Sequence, residues 1–180
     1  MAAWSADQKG VARGMGLAML ATLGGLALPW LIDGLPRAPE PLAERLAWWL
    51  TLDAWLGIWL LVAIGRIAGH RFATPADIHG GARGQGTERV QILQALLQNT
   101  LEQTVLAFLA HGAFLAVAPT RWGATVVLFV AYFGIGRALF FRGYASGAPA
   151  RAFGFALTFY PSVALLLTSL LLGLGRATGS

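Results

Sequence analysis

Five long apolar stretches, separated by short polar segments, dominate the pattern of this chain. A helix needs about 20 apolar residues to cross the hydrocarbon core of a bilayer, and each stretch reaches or approaches that length. They cover residues 14–32, 46–68, 90–118, 123–143 and 152–175. Because a helix satisfies its backbone hydrogen bonds internally, the pattern predicts an all-α integral membrane bundle.

Proline and glycine mark the connections between these stretches. Three prolines between residues 36 and 41 interrupt the first connection, and Pro75 opens a glycine-rich second loop. Thr87 ends that loop and has the side chain of a helix N-cap. Pro119 marks a tight third turn, and residues 145–150 form a short fourth one. Each stretch is therefore predicted to be a separate helix.

The composition supports the same class of protein. Hydrophobic residues make up 57% of the 180 residues and charged residues only 12%, which is more apolar surface than a soluble domain of this size can bury. The chain contains no cysteine, so any thiol chemistry must use a thiol that a ligand brings. The arginines lie at the ends of the spans rather than in one dense patch, which argues against nucleic acid as a partner.

The basic residues orient the spans, because positive charge is retained on the cytoplasmic side of a membrane. Nine of the 13 lie near the N-terminus, the second loop and the fourth loop, and four lie on the opposite side. This distribution favours a cytoplasmic N-terminus and an external C-terminus. A cleaved signal peptide over 14–32 is disfavoured, because the stretch is long for such a core and no small-x-small site closes it. We expect a multi-pass protein of a bacterial inner membrane.

The third stretch carries a polar stripe. Gln91, Gln94, Gln98 and Glu102 follow one another at steps of three and four residues, which puts them on one helix face with Asn99 beside them. A carboxyl group deep in hydrocarbon costs at least about 2.5 kcal/mol, so Glu102 needs a partner there. The stripe is either part of a functional site or a hydrogen-bonding staple between helices.

Arg137 is the partner that hairpin geometry predicts for Glu102. If the third and fourth spans are antiparallel about a turn near residues 119–122, these two side chains lie at equal depth and offset each other's charge. Tyr144 shares a helix face with Arg137, and Arg151 returns across the short fourth loop opposite Tyr144. The predicted result is a small polar pocket near the cytoplasmic face, made of Asn99, Glu102, Arg137, Tyr144 and Arg151.

Other polar residues favour structural interpretations. His111, within the third span, is expected to form a hydrogen bond between helices. Asp53 lies about two turns into the second span and is expected to pair with an arginine of a neighbouring helix. His70 and His79 lie near the second loop without the spacing of metal ligands, so we predict no metal site.

The segment from Gln91 to Pro161 resembles the membrane-associated eicosanoid and glutathione metabolism (MAPEG) family, in particular its microsomal glutathione transferases and cysteinyl-leukotriene synthase. Three features carry the resemblance: Asn-x-x-Glu at Asn99 and Glu102, the run Phe141-Arg142-Gly143-Tyr144-Ala145 after Arg137, and Arg151 seven residues beyond the tyrosine. With 46–68 taken as the first helix of the family, residues 46–180 form a four-helix domain. Residues 1–45 are then an N-terminal segment with an extra transmembrane helix.

The resemblance implies a homotrimer that binds glutathione between neighbouring subunits near the cytoplasmic side. By position, Asn99 and Glu102 would hold polar ends of the peptide, Arg137 and Tyr144 would line its site, and Arg151 would stabilise the glutathione thiolate. A lipophilic electrophile would reach the sulfur from the lipid. The implied function is that of a glutathione-dependent transferase or peroxidase acting at the membrane.

The chain also departs from the family pattern. Ala95 stands where the family often has an arginine, and Phe140 and Gln103 stand where the leukotriene synthase has tyrosines. Loss of a hydrogen bond to a charged group costs about 1.5–3 kcal/mol. The alternative is therefore a non-catalytic member that binds a lipid or a partner membrane protein. A small transporter is the weaker third interpretation, because no inverted repeat is visible.

Overall fold

The structure, a computed structural model, describes residues 3–80, 84 and 86–177, and this part of the chain contains five long helices and no strand. The helices are α1 (Ala6–Leu31), α2 (Leu42–Ala73), α3 (Glu88–Val117), α4 (Gly123–Gly143) and α5 (Ala148–Ala177). Each corresponds to a segment that is long and apolar enough to cross a membrane. The prediction of an all-α, multi-pass membrane bundle is thus confirmed.

The helices extend beyond the apolar stretches because polar residues cap them. Ser5 forms a capping box with Gln8: the Ser5 hydroxyl accepts the Gln8 N–H at 3.2 Å, and Gln8 Oε1 accepts the Ser5 N–H at 2.8 Å. α1 therefore begins at Ala6, before the apolar run. The hydroxyl of Thr87 accepts the N–H of Val90 at 3.3 Å, which confirms Thr87 as the N-cap of α3.

α1 packs closely against α5 through a stripe of small residues. Gly10, Gly14, Ala18 and Thr22 recur every four residues, and all but Gly10 are buried. A Cβ added at Gly14 would lie only 2.9 Å from the backbone nitrogen of Phe153. Small residues let two backbones approach in lipid, where van der Waals contact drives helix association. α1 is thus an integral helix of the bundle.

α5 is the central helix. It packs against α1, α3 and α4, whereas α3 and α4 hardly touch each other and α2 packs mainly on α3. The approach to α4 is again close, since a Cβ added at Gly154 would lie 2.6 Å from the carbonyl oxygen of Gly136. Side chains of α3 and α4 that face the interior therefore meet across a face of α5.

Asp53 and His111 form a buried hydrogen-bonded pair between α2 and α3. Asp53 Oδ1 lies 2.7 Å from His111 Nδ1, and Asp53 Oδ2 accepts the indole N–H of Trp49 at 2.7 Å. The expected role of His111 as an interhelical hydrogen-bonding residue is confirmed. The prediction that Asp53 pairs with an arginine was wrong. The arginines near α2 lie at the ends of the spans, whereas His111 lies opposite the carboxylate of Asp53.

A second polar cluster closes the loop between α2 and α3. The carboxylate of Asp77 accepts the Thr87 hydroxyl at 2.6 Å and the Thr87 N–H at 2.8 Å, and it lies 2.8 Å from His70 Nε2. These contacts hold the pKa of the Asp77 carboxyl below its usual value, and the hydrogen bond from the Thr87 hydroxyl contributes most. A carboxylate with a lowered pKa stabilises the fold at neutral pH, and this contribution is lost as the pH falls below about 4.

The five spans and the charge distribution together predict the topology. A reporter fused after the C-terminus should be active only on the external side, because nine basic residues lie on the side of the N-terminus and four on the other. A pair of compartment-specific reporters fused at the same position measures this. Activity of the cytoplasmic reporter at the C-terminus would contradict the orientation or the spanning role of α1.

Candidate functional site

A cavity of about 450 Å³ lies along α5, where α1, α3 and the end of α4 meet. Three of the five predicted site residues line it: Asn99 from α3, Tyr144 from the end of α4 and Arg151 from α5. The remaining lining is apolar or aromatic and comprises Val11, Met15, Phe140, Ala148, Ala152, Phe155, Ala156, Phe159 and Tyr160. The lining residues of α5 recur at steps of three and four, so they form one helix face.

Arg151 is placed over Tyr144 by the turn between α4 and α5. Gly147 has φ +96°, a backbone conformation that favours glycine, and it reverses the chain just before α5 begins. The guanidinium carbon of Arg151 then lies 4.4 Å from the centre of the Tyr144 ring, within the range of a cation–π contact. The predicted position of Arg151 opposite Tyr144 is thus what the structure shows.

Arg137 lies behind the cavity rather than in its wall. It is 0% exposed, its Nη1 donates to Asn99 Oδ1 at 2.8 Å, and its Nη2 donates to the Thr158 hydroxyl oxygen at 2.8 Å. Thr158 in turn lies 3.2 Å from Gln103 Oε1. Within the described part of the chain, Arg137 Nε has no hydrogen-bond partner. Arg137, Asn99, Thr158 and Gln103 therefore form a buried network that joins α3, α4 and α5.

Glu102 does not belong to this network. Its side chain is exposed and accepts a hydrogen bond from Gln98 Nε2 at 2.9 Å on the outer face of α3. In the described chain, the contacts within 4.0 Å between acidic and basic side chains join His70 to Asp77 and His111 to Asp53, so the predicted pairing of Glu102 with Arg137 was wrong.

The physical reason is the rotation of α3. Asn99 faces the guanidinium of Arg137, and Gln103, four residues later on α3, faces Thr158 of α5. Successive residues of an α-helix are about 100° apart around its axis, so Glu102 points away from the face that carries Gln103. An antiparallel hairpin predicts which residues lie at similar depth in the membrane. It does not predict in which direction the side chains of Glu102 and Arg137 point.

Two kinds of site residue are not among those predicted from the sequence. Thr158 is one, although it lies seven residues after Arg151 on the same helix face as that arginine. Val11 and Met15 were missed because nothing in the sequence of α1 shows which helix it packs against. Gln103, noted only as a departure from the family pattern, is the member of the network that lies near Thr158.

The network determines the hydrogen-bonding character of the cavity. A guanidinium only donates, so the Asn99 atom that faces Arg137 must be the carbonyl oxygen. The amide nitrogen of Asn99 is then left to donate to a ligand. Among the described residues, no carboxylate lines the cavity, while Arg151 is in its wall and the charge of Arg137 lies behind Asn99. The cavity therefore favours a ligand with anionic or hydrogen-bond-accepting groups.

The fold defines a helical integral membrane protein, and its cavity has Arg151 in the wall. A family model, that of the MAPEG family, matches residues 46–171, which is well over half of the chain. The chain belongs to the MAPEG family, a family of membrane proteins with glutathione-related transferase and isomerase chemistry. No curated protein and no solved structure matched the chain in the corresponding comparisons.

Substitution of Thr158 by valine tests the buried network. Valine keeps the shape of the side chain but leaves Arg137 Nη2 without its acceptor, which should destabilise the protein by about 1–3 kcal/mol. Thr168→Val is the matched control, because the Thr168 hydroxyl bonds only to the Ala164 carbonyl of its own helix in this structure. Thermal unfolding in detergent measures both. Equal melting temperatures for the two variants would show that the network does not stabilise the fold.

Proposed function

We propose that the protein is a glutathione-dependent transferase or peroxidase that acts on lipophilic electrophiles at the membrane. The observation that carries the proposal is the lining of the cavity: Arg151 and the amide nitrogen of Asn99 face a ligand, and the buried charge of Arg137 lies behind Asn99. Glutathione is a peptide with two carboxylates and a thiol, so it matches both the charge and the donors of this site. Membership of the MAPEG family supports the same choice.

The chain brings no thiol of its own, so the reacting sulfur is that of glutathione. A free thiol has a pKa of about 8.5 and is mostly protonated at neutral pH. A guanidinium beside the sulfur, the role proposed for Arg151, favours the thiolate. The thiol proton leaves to solvent, the sulfur forms a bond to the electrophilic carbon, and the leaving group departs.

With a hydroperoxide, the same thiolate attacks the O–O bond. The sulfur is oxidised to a sulfenic acid, and the hydroperoxide is reduced to an alcohol. A second glutathione then reacts with the sulfenic acid, which gives glutathione disulfide and water. Activation of the sulfur by Arg151 is common to both reactions, so the residues of the site are compatible with a transferase and with a peroxidase.

The polar face of α3 supports a homotrimer. Gln98 and Glu102 are exposed near the middle of α3, at a depth where a carboxyl group in contact with lipid costs several kcal/mol. Another polypeptide that covers this face removes the cost. In the proposed trimer, Glu102 contacts the neighbouring subunit and reaches glutathione across the interface, which explains why it does not reach the cavity of its own subunit.

Glu102→Gln tests the trimer. The change should weaken the assembly, because it removes the negative charge that Glu102 presents to the neighbouring subunit in the proposed trimer. Glu88→Gln is the control, since Glu88 is exposed in the first turn of α3, at the edge of the span. Native mass spectrometry should show trimers for the parent and the control and smaller species for Glu102→Gln. A monomeric parent would contradict the proposal.

Arg151→Ala tests the catalytic role. Turnover of an aryl halide should fall by about 100-fold while the affinity for glutathione stays nearly unchanged, because the interaction strengthens only as the thiolate forms. The ultraviolet absorbance of the bound thiolate at neutral pH should also disappear. Arg142→Ala is the matched control, since Arg142 is exposed at the same end of the bundle and lines no part of the cavity.

Asn99→Ala should show the opposite pattern. It removes a donor to the ligand and the acceptor of Arg137 Nη1, so the variant should melt at a lower temperature. The affinity of the folded variant for glutathione, measured by calorimetry, should fall by about tenfold, with less effect on turnover at saturation. A parent protein that neither binds glutathione nor turns over an electrophile would favour the non-catalytic alternative, a protein that binds a lipid or a partner membrane protein. Ala95, Phe140 and Gln103 would then be the residues that removed the glutathione site.

A further inference from the structure

α1 lies outside the part of the chain that matches the family model, yet it forms part of the cavity wall. The match begins at residue 46, whereas Val11 and Met15 of α1 line the cavity beside Arg151. The close packing of Gly14 and Ala18 against α5 holds this wall in place. The site of this chain therefore contains a surface that the family-matched helices do not supply.

A second cavity continues the first along the seam between α1 and α5. It has a volume of about 430 Å³ and shares Val11, Met15 and Ala148 with the first cavity. Beyond them it reaches Trp4 and Asp7, at the end of the bundle where α1 and α5 both begin. The two cavities thus form one elongated groove, which we name the α1–α5 groove.

The shape and polarity of the α1–α5 groove restrict its ligand. From Ala148 to Tyr160 the groove follows α5 for about 18 Å, at 1.5 Å per residue. Its charged side chains, Asp7 and Arg151, lie in the half where the helices begin, and the far end is formed by Phe159 and Tyr160. A long, narrow site with its charged side chains at one end and aromatic rings at the other suits a chain-like amphiphile better than a compact ring system.

Met15 is the α1 side chain best placed to contact such a chain. It is 42% exposed and lines both cavities, opposite the aromatic residues of α5. Methionine is flexible and polarisable, so it adapts to an apolar chain and makes favourable contacts with aromatic rings.

We propose that α1 and α5 together bind a long-chain amphiphile, with its hydrocarbon chain between Met15 and Phe159 and its polar end near Arg151. In the reaction this molecule is the second substrate, and its electrophilic carbon lies close to the polar end, where the thiolate is activated. That assignment rests on the proposed function. The binding site itself rests on the α1–α5 groove.

Photo-crosslinking tests the site without any turnover. The probe is a long-chain fatty alcohol with a diazirine at the end of its chain, added to the purified full-length protein in lipid nanodiscs. Labelling should be saturable and should map to the peptides that contain Met15 and Phe159. Met15→Trp fills the groove and should reduce this labelling by about tenfold, whereas Met15→Ala should retain it.

Leu17→Trp is the matched control, because Leu17 is 60% exposed on α1 and lines neither cavity. It should label like the parent, and a melting curve for each tryptophan variant shows that both are folded. Labelling that spreads over the exposed faces of all helices, and that Met15→Trp leaves unchanged, would overturn the proposal.

Kinetics separates this proposal from the proposed function. If the protein turns over electrophiles, kcat/KM should rise with chain length in the parent and in Leu17→Trp but not in Met15→Trp. Specific labelling of the groove without any glutathione-dependent turnover would contradict the enzymatic function and support the amphiphile site. Turnover that is independent of chain length, without labelling of the groove, would contradict the amphiphile site and support the enzymatic function.

Discussion

The hydrogen bonds of the buried Arg137 guanidinium are the interactions on which the site depends. This guanidinium joins α4 to Asn99 of α3 and to Thr158 of α5 through two hydrogen bonds of 2.8 Å, and in the described chain it takes part in no ion pair. Burial of a charge away from water is expensive, and neutral partners offset only part of the cost. A positive field therefore remains behind the cavity, and the amide of Asn99 is turned so that its nitrogen serves a ligand.

α5 connects this network to the rest of the molecule. One of its faces carries Thr158 and meets Arg137, while Ala152 and Ala156 lie close to α1. The cavity lies on α5 between these two contacts, so Arg137 of α4 lies behind one wall and α1 forms part of another. The family-matched helices supply the polar groups, and α1 supplies Val11 and Met15. In the proposed function, the first set binds glutathione and the second shapes the site of the lipophilic substrate.

Much of the fold and part of the site could be predicted from the sequence. Asn99, Tyr144 and Arg151 share one cavity as expected, because a short loop with Gly147 brings the ends of α4 and α5 together. The partner of Arg137 was predicted wrongly because equal depth does not specify the rotation of a helix about its own axis. The same limit applies to Asp53, whose partner is His111 and not an arginine.

The sequence by itself determined the five membrane helices, the N-cap of α3 at Thr87 and the residues that recur on each helix face. These features depend on hydrophobic length and helical spacing, which are local properties of the chain. Only the tertiary structure decided that α1 packs on α5, that Thr158 and Asn99 hold Arg137, and that Glu102 faces outward. Those outcomes depend on how closely small residues let distant helices approach, and that contact sets the rotation of α1 and α4 against α5.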